Sequence, residues 1–321
     1  MNPNVLLVGG AGYIGGGTTE ALLARAIPFT VYDNLTYENH YLKPVDFVFG
    51  DVRDHDHLGR LLPRYTHVIW LPALVGDGAC AINPPLTKII NQDSVEWLAA
   101  NFNGRILFTS TCSVYGASDE PVSETSPTGP LSVYAQTKLA AESFLRDKNA
   151  LIFRLGTAFG ISDTYSRIRM DLAVNYMTMN AVRKGKLIVF GGAQWRPFVH
   201  VNDIGQLLVD NLDKQHRGIY NIATENITII DLATRIREAT GCQIEKTDQK
   251  FQDNRNYHAD VAKALRDGIL PTTTARTIAH GIQQVVRLVR ENRVANLDHE
   301  LYSNERRMVA IMDRYANHVS P

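Results

Sequence analysis

The chain has 321 residues, of which 45% are hydrophobic and 21% charged, a balance ordinary for a globular enzyme and wrong for a disordered chain. Lys plus Arg equals Asp plus Glu, 33 each, so no excess charge draws it to nucleic acid or to an anionic membrane. Its apolar runs fall short of the ~18 residues of a membrane span, no basic segment precedes the first of them, and three cysteines without CxxC spacing (Cys80, Cys112, Cys242) make no disulfide framework, so a reducing cytoplasm is expected.

The first element, VLLVGGAGYIGG, passes from a strand through a glycine turn into a helix. Gly9, Gly12 and Gly15 stand at G-x-x-G-x-x-G spacing: one allows the tight turn, one the approach of a diphosphate to backbone, one close packing of helix on strand. Gly12, Tyr13 and Ile14 open the helix, where free N–H groups and the positive dipole end attract that diphosphate. Asp33 ends the next strand, FTVYD, 18 residues after Gly15 and just before Asn34. Its carboxylate is placed to accept both ribose hydroxyls and repels a 2′-phosphate, which favours NAD over NADP. Asp51 and Val52, after the third strand (DFVFG), are placed at the adenine edge. In RDHDHL, His55 and His57 stand two apart and point away from each other on a helix, with no further ligand at zinc spacing. That segment reads as a solvated helical turn, and no metal is expected.

The fourth and fifth strands, HVIWL and RILFT, follow, and the fifth runs into FTSTCSVYG. The next helix, LSVYAQTKLAAESF, carries Tyr134 and Lys138 four apart on one face. An ammonium beside a phenol favours phenolate, so Tyr134, ordinarily titrating near ~10, is expected to act as a base with the Thr111 hydroxyl on the same substrate oxygen. The sixth strand is LIFRL. Near-continuous apolar strands alternating with helical patterns predict an α/β fold: a doubly wound parallel sheet, covered on both faces. From about residue 161 the alternation breaks into a helix (MDLAVNYMTMNAVRKG), a strand (KLIVFGG) and a strand–helix return (VHVNDIGQLLVDNL). Thr228 caps IIDLATRIREAT, which stops at Gly241. The expected organisation is an NAD-binding Rossmann domain over 1–160 and 198–224, with a smaller α/β substrate-binding domain over 161–197 and 225–321. The polar tail after about 293 has one helical pattern near 304–316 and reads as a packing arm, with a lid as the alternative.

Taken together, GGAGYIGG, YDN, GDVRD, TSTCSVYG, YAQTK and RPFVHVND stand in the order of the extended short-chain dehydrogenases/reductases, and the chain resembles their nucleotide-sugar epimerase/dehydratase branch, of the UDP-glucose 4-epimerase kind. The resemblance implies an NAD-dependent enzyme acting on a nucleotide-diphosphate sugar, with Thr111, Tyr134 and Lys138 as its catalytic set. It implies that Leu71, after the fourth strand, and Asn91, in IINQDS, stand at the cofactor, Asn91 as a structural residue behind the site. Arg196 and Arg255 match arginines that clasp the substrate diphosphate, with a surface ion pair as the bland alternative for each. Asn175 is a contact to the nucleotide half, and Ser113 and Thr157 face the sugar, as does Cys112, which either only packs there as a small side chain or donates a proton to an intermediate. The family also implies a homodimer built on the Tyr134 helix.

Three departures narrow the reading. Trp70-Leu71-Pro72-Ala73 replaces the family's His-x-Ala-Ala, and Thr157 stands where many 4-epimerases carry Asn. The 4,6-dehydratases place Asp-Glu directly after the catalytic Thr, whereas this chain has Cys112-Ser113. The expected reaction is therefore epimerisation through a transient 4-keto sugar. A 4-keto-sugar reductase, a C3/C5 epimerase that uses Cys112 or Cys80 as an acid, and a non-enzymatic NAD sensor remain the alternatives.

Overall fold

A computed structural model describes residues 3–247, 255–271 and 275–316. Seven strands form one parallel sheet: β1 (Val5–Val8), β2 (Phe29–Asp33), β3 (Phe47–Phe49), β4 (His67–Trp70), β5 (Arg105–Thr111), β6 (Ala150–Leu155) and, after three strands described below, β10 (Gly218–Ile222). Their order across the sheet is β10-β6-β5-β4-β1-β2-β3. Strand periodicity explains why the sheet is covered on both faces. Leu6, Val8, Val68, Trp70, Ile106 and Phe108 bury into one apolar layer, while Val5, Leu7, Ile69, Leu107, Leu151 and Phe153 bury into the other. The six strand runs expected from the sequence all form, and the doubly wound α/β architecture is confirmed.

The chain leaves β1 toward β2 and β3, then returns to β4 on the other side. Ligands of such sheets bind at that switch point, beyond the carboxyl ends of the strands. A second layer closes over it. Strands β7 (Thr157–Phe159), β9 (Trp195–His200) and β11 (Glu225–Thr228) make one small sheet, and β8 (Lys186–Phe190) with β12 (Gln243–Thr247) makes another. Phe159, Val174, Phe198, Ile236 and Ile282 pack between them and their helices. The helix Ile229–Thr240 begins where Thr228 accepts a hydrogen bond from Asp231 N and ends at left-handed Gly241, as its sequence predicts.

The C-terminal arm is a packing element that also reaches the ligand crevice. Met308 and Ile311 of the helix Asn304–Ala316 enter the same apolar layer as Leu74 and Ala79. Arg307 donates to Thr36 O, Glu38 O and Asn39 Oδ1, tying the arm to the loop after β2.

Candidate active site

A cavity of about 1120 Å³ opens at the switch point, beyond the ~300–1,000 Å³ of a single small-molecule site. Its floor at one end is the glycine turn. Gly9 has φ +74°, and a Cβ there would lie 2.7 Å from Pro72 N. A Cβ on Gly15 would lie 2.1 Å from Gly10 O, so this glycine permits the helix Tyr13–Ala24 to start against the turn and does not itself line the cavity. Gly12 caps that helix with no side-chain partner, which leaves the N–H groups of its first turn for a ligand. The tight turn and the open N–H groups of the helix start fit the diphosphate of NAD.

Asp33 stands at the end of β2, accepting from Ala11 N (3.0 Å) and Leu35 N (2.8 Å), and lines the cavity beside Asn34. Burial raises its carboxyl above the usual range, opposed by those backbone bonds. Asp51 points elsewhere. Its carboxylate is taken by Arg53 and Asn34, whose hydrogen bonds hold it below the usual range against burial. Its neighbours Gly50 and Val52 form the wall, as does Leu71 after β4. Asn91 is fully buried behind that wall, donating to Leu74 O and accepting from Leu74 N, and so fixes the loop after β4 without touching the cavity.

The opposite end brings Thr111, Ser113, Tyr134, Lys138 and Thr157 together on the wall. Ser132 caps the helix Val133–Phe144, which puts Tyr134 and Lys138 on its cavity face. Burial first, then Cys80 nearby, holds the Tyr134 phenol well above its usual range, while the Thr111 hydroxyl pulls the other way. Lys138 Nζ donates to Thr109 O at 2.8 Å and lies 4.6 Å from the centre of the Phe108 ring. Burial lowers Lys138 to about 8, against the pull of Cys80 and Glu142. The ammonium that the spacing puts on the Tyr134 face of the helix is anchored at the strand end, on Thr109 O. Arg196 and Arg255 meet at the substrate side, where Arg196 Nη1 donates to Arg255 O (2.5 Å) and Arg255 Nη1 lies 3.4 Å from Asp77 Oδ2.

Two expected substrate contacts also lie off the cavity. Cys112 lies off the cavity: the 3-10 turn Cys112–Tyr115 rotates its thiol under the strand to Arg154 O, at 3.1 Å. It is fully buried away from the cavity, and burial pushes it up to about 12, so it packs under the strand, the first of the two roles its sequence position leaves open. Asn175 is also fully buried, its amide spent on Gly160 N, Gly160 O and Arg169 O; it braces the chain behind the site. Ser113 Oγ lies 3.1 Å from Tyr257 Oη.

Sequence reading passed over two groups. Under the Tyr134 helix, Glu142 and Arg154 form a buried ion pair (2.7 Å). Beside the glycine turn, Glu38, Arg167, Arg169 and Asp171 line the cavity. Burial pushes Glu38 up to about 8, despite Arg167 Nε 3.5 Å from its Oε1, and burial likewise lowers Arg167 to about 10. The folded chain thus keeps a proton on Glu38 that the unfolded chain gives up near 4.5. Stability should therefore fall as pH rises through that interval to about 8. Glu38→Gln keeps the shape without the titration. It should melt like wild type near pH 5 and a few degrees higher near pH 8; parallel pH profiles of Tm would refute this.

The model of the family described as "NAD dependent epimerase/dehydratase family" matches residues 5–223. The UDP-glucose 4-epimerase of Rhizobium meliloti (strain 1021) is 32% identical over 156 residues; the match spans about half of each protein, 46% of this chain and 47% of that one. Among solved structures, DesIV, the dTDP-glucose 4,6-dehydratase of Streptomyces venezuelae solved with NAD bound, is 27% identical with a TM-score of 0.76, covering 90% of this chain and 98% of that one. MoeE5 in complex with UDP-glucuronic acid and NAD is 25% identical with a TM-score of 0.75, covering 90% and 99%.

Proposed function

We propose that this chain, which belongs to the NAD dependent epimerase/dehydratase family, is an epimerase of a nucleotide-diphosphate sugar that works through a transient 4-keto sugar. NAD is the family's cofactor and, when bound, supplies a reversible hydride acceptor for a sugar carbon. Burial favours the neutral phenol of Tyr134, and the positive charge of an oxidised nicotinamide, when bound, would oppose that; Tyr134 would then take the proton of the sugar 4-hydroxyl as the C4 hydride is given up, and return it as the hydride is restored to the other face. The Thr111 hydroxyl holds the same oxygen. Lys138, anchored on Thr109 O, keeps a positive charge near the phenol below about pH 8. Arg196 and Arg255 grip the substrate diphosphate as forks, leaving the sugar to turn about that anchor.

One observation carries the choice of epimerase over dehydratase. Directly after Thr111 come a thiol sealed under the strand and a hydroxyl beside Tyr257. Dehydration needs an acid for the leaving 6-hydroxyl and a base for the C5 proton, and neither residue is suited to either task. The test is incubation with a panel of nucleotide sugars in deuterated water, read by NMR and mass spectrometry. The expected product is an epimer of unchanged mass, with no deuterium on carbon and no net consumption of NADH. A product lighter by one water would establish dehydration. Label on C3 or C5 would move the inversion there, and stoichiometric NADH consumption would make the enzyme a reductase.

A further inference from the structure

In the segment Arg167-Ile168-Arg169-Met170-Asp171, both arginines and Asp171 line the cavity while Ile168 and Met170 pack away from it, and the two arginines have different partners. Arg167 is tied to the C-terminal arm by Nη1, which donates to Leu301 O (2.9 Å), and by Nη2, which donates to Asn304 Oδ1, while its Nε makes no hydrogen bond and lies 3.5 Å from Glu38 Oε1 in the loop after β2. Arg169 is tied differently. Asp171 holds one edge of its guanidinium, Nε to Oδ1 at 2.6 Å and Nη2 to Oδ2 at 3.0 Å. Asn175 holds its backbone carbonyl, and Asn304 N holds Asp171 Oδ2 (2.8 Å) in turn. Nη1 of Arg169 is left without a hydrogen-bond partner among the described residues.

Arg169 is 8% exposed and lines the cavity, with its guanidinium carbon 6.0 Å from the centre of the Tyr13 ring. Tyr13 is the first residue of the helix whose cap lacks a side-chain partner. A fixed cation with an unpartnered Nη1 thus lines the same cavity as Gly12, Tyr13 and Ile14, the residues of that helix start. We infer that Arg169 is a ligand of the cofactor's diphosphate, closing from the substrate side the anion site that the glycine turn opens from below. Nη1 still carries two N–H groups for phosphate oxygens, and Asp171 already fixes the guanidinium, so binding costs little ordering. The inference uses NAD binding only and is independent of which sugar reaction follows.

Calorimetric titration of the full chain, freed of nucleotide, tests it with NAD, ADP-ribose, AMP and adenosine. Arg169→Gln should weaken NAD and ADP-ribose on the order of ten- to hundred-fold, AMP less, and adenosine not at all, as loss of a charge-assisted bond to phosphate requires. Arg169→Lys should recover most of that loss. Should Arg169→Gln fail to fold with Asp171 left unpaired, the double variant Arg169→Gln with Asp171→Asn removes both charges and should show the same ligand pattern. Equal loss across the series, adenosine included, would make Arg169 a structural residue and overturn the assignment. So would unchanged NAD affinity with weakened binding of uridine diphosphate, which would place Arg169 on the substrate's diphosphate.

Discussion

Replacing Tyr134 by Phe should lower turnover by about 10²–10⁴, the usual share of general acid–base catalysis, while NAD affinity and Tm stay near wild type. Only an oxygen is removed. The ring still fills its place beside Thr111, and the hydroxyl's partner there is another hydroxyl that keeps access to the cavity. Lys138→Met should depress the same step and also weaken NAD, since the ammonium it removes is a buried cation at the site. The two variants separate the mechanism from a folding defect: Tyr134→Phe should bind calorimetrically like wild type yet turn over poorly. Near-full turnover on the true nucleotide sugar would remove Tyr134 from the chemistry.

What sequence reading reaches here follows the range of the interactions concerned. Gly9, Asp33, Tyr134 and Lys138 work through their own turn, strand end or helix face, and local spacing finds them. Thr111, at the end of an apolar strand, is found the same way. Cys112 and Asn175 look equally local, but which way a side chain turns depends on partners elsewhere. Cys112 rotates to a carbonyl on β6, 42 positions away, and Asn175 is consumed by Gly160 and Arg169. Arg167 meets Asn304 across 137 positions, and Arg307 meets Thr36 across 271. No periodicity signals such pairs. Nothing local in RIRMD signals a role, and only the folded arm shows why both arginines can be buried.

The largest stability effect should come from a residue that touches no ligand. Glu142, one helical turn beyond Lys138, accepts from Ser110 Oγ (2.5 Å) and from Arg154 Nε (3.0 Å) and Nη2 (2.7 Å). Arg154 also donates to Tyr115 Oη (2.9 Å), which donates to Asn221 Oδ1 (2.6 Å). Both ionic side chains are only 4% exposed. Removing one partner leaves the other as an uncompensated buried charge, so Glu142→Leu should cost about 3–5 kcal/mol, or on the order of 5–10 °C in Tm. Glu142→Leu combined with Arg154→Met removes both charges and should recover most of the loss, because apolar groups of similar volume replace a desolvated pair at little net cost. A single variant as stable as wild type would mean that the pair is not formed. The double variant also reads the active site. Glu142 is one of the groups that hold Lys138 up against burial. Without it the ammonium should lose its proton at lower pH, and the alkaline limb of kcat/KM should move below the wild-type position near 8. A limb left in place would assign it to a group other than Lys138, and the pair beneath the helix would then serve folding alone.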